Sequence, residues 1–488
     1  MMRMRRWGAA AVLGLAVGVT ACDEGLAGLN VDPNNPVEVG PEYLLPNAIE
    51  ASVSRVIGSG LNMDVTGLWA QHYVEHLYTV EDLYDISNSA VSGHWSSFYS
   101  GPLQDFQEVI EKGTETSRPN TTAMGMIMKA WTAQVMTDLW GDIGYSEALQ
   151  GRTSEVLTVG YDTQEHVYEQ LLQETAAAAA MIDPDGLKIT DGDLIYGGDM
   201  DRWSMFANSL RMRMAMRLSD VAPDVAQQQF ADAYADGGFA SNDDSAILWY
   251  LDNGVNRHPI HAYELSRDDH SVSRTMIEML RDLNDPRLPV YAKPNAAGNY
   301  WGATNATLAD PPLDSVSRIG EFYSRADAPG VLMSYAELLF LQAEAAERGW
   351  IAADPATLYA AGIRAAMEFN EIATAEIDAY LAQPEIVYQG GDAGLEQIWT
   401  QKWIALFGQG PEAYAEWRRT ATPVLEIGPD AENDGQIPLR LFYPAAEESY
   451  NREAVEAARA RQGGADLSDP VWWDVTGGGQ VDALSSGS

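Results

Sequence analysis

Residues 395 to 419 read LEQIWTQKWIALFGQGPEAYAEWRR. Leu395, Ile398, Trp399, Trp403, Leu406 and Phe407 recur at three- and four-residue steps, which puts them on one buried face of a helix. Gly408, Gln409 and Gly410 end that helix, and Pro411 suits the first turn of the next. Tyr414 and Trp417 then carry the apolar stripe on to Arg418 and Arg419. The pattern predicts a helix hairpin with a tryptophan-rich seam. No nucleophile, metal cluster or phosphate loop lies in it, so the hairpin reads as a scaffold that holds something.

The rest of the chain agrees with a mainly α architecture. Helical periodicity or strong helix formers occur at 44–57, 61–78, 92–111, 120–138, 163–181, 201–219, 224–235, 271–283, 332–348, 355–370, 393–407, 411–419 and 446–461. In the helix from Asp201, Trp203, Phe206, Ala207, Leu210, Met214 and Leu218 form the inner face, with Asn208, Arg211 and Arg217 elsewhere. Ser334 and Glu337 have capping-box spacing before a helix that closes at Gly349, and Asp354 and Pro355 open the next one. Such pairs resemble tetratricopeptide units without the strict 34-residue repeat, so they are expected to be degenerate TPR-like pairs. Between Ser241 and Arg325 the chain turns rich in Asn, Asp, Gly and Pro, the irregular texture of a segment that is functional or mobile.

The first residues set the compartment. Arg3, Arg5 and Arg6 precede an apolar run from Trp7 to Val19, then Thr20, Ala21 and Cys22. This is a signal peptide over 1–21, too short for a membrane span. Cys22, the only cysteine, rules out an intrachain disulfide and resembles a lipobox cysteine that is lipidated and anchors the chain. Residues 22–36 read as linker, 37–475 as one large body and 476–488 as a flexible tail. With 71 acidic against 30 basic residues and a net charge of −41, binding to nucleic acid or an anionic surface is not expected.

Several stretches together resemble the SusD/RagB family. They are LNVDPNNPVE at 29–38 behind the lipobox, DLWGDIGYSEAL at 138–149, WSMFANSLRMRMAMRL at 203–218 and DPRLPVY at 285–291. ELLFLQAEAAERG at 337–349, QKWIALFGQGPEAYAEWRR at 401–419, IPLRLFYPAAEESYN at 437–451 and VWWD at 471–474 complete them. The resemblance implies a SusD-like fold, with TPR-like helix pairs packed against an irregular, loop-rich ligand-binding side. It further implies an outer-membrane, lipid-anchored protein facing the cell exterior. Such a protein captures an oligosaccharide or peptide and delivers it to a SusC-like TonB-dependent transporter, with no covalent chemistry, catalytic residue or cofactor.

Trp203, Asn208, Trp399, Trp403, Trp417, Trp472 and Trp473 sit in those motifs and read as structural residues. Ligand contacts are expected from loop aromatics with polar neighbours: Tyr78, Tyr84, Tyr300, Trp301, Tyr323 and Arg325. For each, the alternative and more ordinary role is a loop anchor packed onto the scaffold. One rival is a zinc peptidase, since His72, Glu75 and His76 in HYVEH match H-x-x-E-H on an expected helix. Another is a TPR-like protein scaffold that binds no small ligand. The acidic run Asp183, Asp185, Asp191, Asp193, Asp199 and Asp201 departs from an EF-hand spacing, so a turn-rich connection is expected, with a structural calcium ion left as an open alternative.

Overall fold

Proline at the first turn and a side-chain oxygen at the N-cap start most of the long helices. In the computed structural model, which describes residues 39–150, 158–308 and 311–480, the main helices are α1 (Pro41–Ile57), α2 (Gln104–Glu115), α3 (Pro119–Trp140), α4 (Gln164–Met181) and α5 (Met200–Arg217). They continue as α6 (Pro223–Asp236), α7 (Tyr335–Glu347), α8 (Pro355–Phe369), α9 (Gly391–Ala405) and α10 (Gly410–Thr420). Thr163, Asp199, Ser334 and Asp354 accept from backbone N–H groups at the starts of α4, α5, α7 and α8. From α2 to α6 each helix packs on the next, and α7 packs on both α8 and α9. The leader, Cys22 and the linker to residue 36 lie outside the described residues, as do 481–488.

Two short antiparallel ribbons complete the frame. β1 (Tyr73–Glu75) pairs with β3 (His270–Val272), with Tyr73 opposite Val272 and Glu75 opposite His270; β2 (Ala246–Trp249) pairs with β4 (Pro329–Met333). The helix expected over 61–78 is therefore not formed. Residues 59–66 wind as a π-helix, 67–69 add a short turn, and the chain then extends into β1. The segment expected over 92–111 breaks at 99–103, where Pro102 cannot supply a backbone N–H, into Asn88–Phe98 and α2. At the other end, 476–480 packs rather than trailing free: Ile437 N–H donates to Gln480 Oε1 at 2.9 Å, and Gly478 lies against the Trp417 ring.

Helix α5 differs from a half-buried amphipathic helix. Asn208, Arg211, Arg213 and Arg217 are all buried, because α5 runs through the middle of the body and its polar side chains find partners there. Arg213 Nε and one of its terminal nitrogens lie 2.6 Å from the two Glu337 oxygens. The Glu337 carboxylate thus turns to Arg213 instead of back to Ser334, so only half of the capping box forms. Arg217 clasps Glu412 at 2.7 Å and lies 3.5 Å from Asp138 and 3.4 Å from Glu416. Lys402 reaches Glu416 at 3.0 Å, and Arg419 bridges Glu416 and Glu344, the latter at 2.6 Å. Desolvation disfavours these charges, yet Arg419 and Lys402 hold the Glu416 carboxyl well below its usual range, and Arg217 and Arg213 lower that of Glu412.

A buried ion deprived of its partner is costly, so Glu416→Gln is expected to destabilise the fold by about 3–5 kcal/mol in urea unfolding. The same change at Glu456, whose pair with Arg452 is exposed, should cost under about 1 kcal/mol. Asp474 gives a pH signature, because burial pushes its carboxyl up from 3.8 to about 7. Its contribution is fully present below 3.8 and is lost as pH rises through about 7. Thermal unfolding between pH 4 and 7.5 should accordingly show Asp474→Asn gaining on the wild type as pH rises, with the curves parallel outside that window.

Candidate functional site

The hairpin of α9 and α10 forms the floor under the loop-rich side. Trp403 donates from Nε1 to Ala70 O at 3.1 Å, and the His72 ring packs on Trp403 and Phe407 at centroid distances of 4.9 and 5.6 Å. Phe407 also stacks on Tyr291 at 4.4 Å and 8°. Gly408 takes φ of +88°, and a Cβ there would lie 3.1 Å from the Tyr323 ring. Above this floor, buried Asp82 and Asn305 tie three loops. Asn305 Nδ2 donates to Asp82 Oδ1 and to Tyr73 O, both at 2.7 Å, and Ala306 N–H donates to Asp82 Oδ2 at 3.0 Å. The Ala306 carbonyl accepts from Asp430 N–H at 3.1 Å.

Those ties shape a cleft of about 370 Å³ between residues 301–307 with Pro311 on one side and 426–429 on the other. Trp301 stands on its rim, 54% exposed, with its backbone pinned to Ser317 by hydrogen bonds of 2.7 and 3.0 Å. Thr304 and Thr307 line the cleft, together with the ion pair of Arg274 and Glu426. Arg274 N–H donates to Ala303 O at 2.7 Å, and Gln71 accepts from Glu426 N–H at 3.2 Å, so both charged residues hang from fixed backbone. Gly428 comes so close to Ala306 that a Cβ would lie 2.2 Å from its carbonyl oxygen. An exposed indole face beside hydroxyls and a paired charge can stack on an apolar ring face while hydrogen-bonding its polar edge.

The other sequence candidates disperse. Tyr300 is half-buried against the main core beside Trp301. Tyr78 is 73% exposed, but it belongs to a different surface, with the Arg267 guanidinium 4.6 Å from its ring centroid. Tyr84 and Tyr323 do not reach the surface: both are buried, and Tyr323 donates from Oη to Asn370 Oδ1 at 2.9 Å in the aromatic cluster around Phe407. Arg325 lies half-buried over Phe322, and it is Phe322, not Arg325, that lines a second cleft of about 530 Å³. That cleft carries Trp249, 52% exposed, with Tyr196, Arg202, Asn242 and Glu371. Sequence reasoning passed over Trp249 because it directly follows the buried run Ala246–Leu248; its place at the end of a strand, just before the turn-rich LDNGVN, was the available signal.

The zinc-peptidase geometry is absent. His72 and His76 flank a strand instead of facing each other across a helical turn. Burial pushes His72 down to about 3, with Nε2 beside Trp403 O at 3.2 Å, and pushes His76 down to about 4, with Nε2 at 2.7 Å from Ser271 Oγ. The acidic run at 183–201 closes a loop. Buried Asp193 accepts from the N–H groups of Ile195, Tyr196 and Gly198 and from the Trp203 indole at 2.7 Å, and Asp199 caps α5.

No curated protein matches the chain. The family profile SusD-like, described as starch-binding associating with outer membrane, matches residues 33–444. Among solved structures, a chitin-binding protein is 28% identical with a TM-score of 0.81, over 89% of this chain and 100% of its own. A chitin-binding SusD homolog from Flavobacterium johnsoniae is 25% identical, with a TM-score of 0.77 over 88% of this chain and 98% of its own. A SusD homolog from Parabacteroides distasonis shares the fold at 21% identity and a TM-score of 0.81, over 89% of this chain and 98% of its own. No helix among the described residues is long and apolar enough to cross a membrane. With the profile running through the helical frame, both ribbons and the Trp301 cleft, the chain belongs to the SusD-like family of outer-membrane-associated binding proteins.

Proposed function

We propose that this protein is a lipid-anchored glycan receptor of the cell surface, binding an oligosaccharide in the Trp301 cleft and passing it to a SusC-like TonB-dependent transporter without chemical change. The observation that carries this reading is the half-exposed Trp301 held rigidly over a cleft whose polar groups are hydroxyls and the Arg274–Glu426 pair. Sugars offer an apolar ring face to an indole and hydroxyls to such groups. The chitin-binding structures among its relatives favour a glycan over a peptide. Among the described residues no helix could cross a membrane, so in this reading Cys22 carries the membrane attachment.

Calorimetry of the full chain with chito- and malto-oligosaccharides tests the proposal. One of them should bind, and Trp301→Ala should weaken it by about tenfold or more, about 1.4 kcal/mol. Trp249→Ala should leave the affinity within about twofold; the reverse pattern would move the site to the larger cleft. Silence toward both sugars with measurable binding of peptides would replace the glycan by a peptide, and silence toward both classes would favour a protein-binding scaffold.

A further inference from the structure

Asp64, Glu75 and His270 reach one point from three elements: the π-helical stretch 59–66, β1 and β3. One ligand atom of each lies within 4.8 Å of the others. Glu75 and His270 face each other across the ribbon and are 3% and 1% exposed, while Asp64 closes the group from its side with 27% of its side chain open. His270 Nε2 stands 3.2 Å from Asp64 Oδ1. Even so, neither atom has an aligned hydrogen-bond partner, and neither does Glu75 Oε2. Buried donors this close that do not point at one another are placed like two ligands of a third body. The edge of a tetrahedral zinc site with bonds near 2.1 Å is about 3.4 Å.

The surroundings fit the same reading. His270 Nδ1 lies 3.3 Å from Asp269 Oδ1, within ion-pair reach though not aligned as a hydrogen bond, so a carboxylate stands behind the imidazole where metal sites place the group that orients the ring. Asp269 is itself fixed by Tyr263 Oη at 2.8 Å and by Arg267 at 2.6 and 2.9 Å, and Arg267 comes within 3.5 Å of Glu75.

We propose that Asp64, Glu75 and His270 bind one divalent transition-metal ion, zinc in preference to calcium, that cross-links the β1–β3 ribbon to the π-helical stretch. An imidazole among the ligands suits zinc, whereas calcium takes oxygen ligands alone. The open side of Asp64 leaves room for water as a fourth ligand and a way in for the ion. The chain's single cysteine permits no intrachain disulfide, so a metal is the strong cross-link open to this fold. Of the HYVEH motif only Glu75 takes part; both motif histidines have other partners. The role is structural and independent of the glycan proposal.

The full chain, stripped with a chelator, is titrated with zinc alone by calorimetry, with metal content measured in parallel. One equivalent should bind and raise the thermal unfolding temperature. Asp64→Asn changes a partly exposed residue, so the variant should fold and bind zinc at least about tenfold more weakly, as should His270→Gln. His166→Gln, at an exposed histidine, should bind as the wild type does. Absence of saturable zinc binding, or binding that Asp64→Asn leaves unchanged, overturns the site and leaves a buried ion-pair cluster. Calcium binding of equal strength that His270→Gln does not alter overturns the imidazole ligand.

Discussion

The charges packed between α3, α5, α7, α9 and α10 constrain everything else in this molecule. Asp138, Glu337, Glu344, Glu412 and Glu416 share the interior with Arg213, Arg217, Lys402 and Arg419, all at most 11% exposed in their side chains. Removing so many ions from water is compensated only if every partner arrives together. Each helix therefore has one position relative to the others in which its charges are met. Apolar packing supplies most of the burial but would tolerate small shifts in register; the ion network does not.

That rigidity passes to the loop side through the hairpin. Lys402 and Glu416 enter the network from α9 and α10, while Trp403 and Phe407 of the same segment support Ala70, His72, Tyr291 and Tyr323. Asn62 fixes the far side, accepting from Gly410 N–H at 2.8 Å and donating to Ile57 O at 2.9 Å. The loops that hold Trp301 are thus tied to the helices by hydrogen bonds and ring contacts at many points. A surface built this way is preorganised, so if it is the binding surface proposed above, little ordering is left to be done when a ligand arrives.

Helices were legible because their signals are local. The α9–α10 hairpin, the caps at Ser334 and Asp354, and the structural tryptophans at 203, 403 and 417 followed from spacing, while Trp473 was read as structural from the family resemblance. What spacing could not supply was the partner. Asn208, Arg211 and Arg217 look like a solvent face until Glu412 and Asp236, far along the chain, are placed beside them. HYVEH carries a helical motif but becomes a strand, because β3, almost two hundred residues later, offers a ladder. Tyr84 and Tyr323 have the loop context of surface aromatics, yet their rings complete cores formed by distant segments. Of the aromatics singled out by sequence, Trp301 is the one that borders a cleft and stays open to solvent, and Trp249 went unnoticed.

Ligand chemistry follows from how charge is distributed. A chain with net charge −41 disfavours anions in general, and the buried cations Arg213, Arg217, Lys402 and Arg419 are already neutralised by carboxylates. At the Trp301 cleft, Arg274 is likewise paired with Glu426. An anionic ligand would have to displace Glu426 against that field. A neutral, hydroxyl-rich ligand need only add hydrogen bonds to a pair that stays intact, while its apolar face meets the indole. The same arrangement would disfavour peptides with acidic side chains, so if the Trp301 cleft is the binding site proposed above, it favours neutral ligands before any shape is considered.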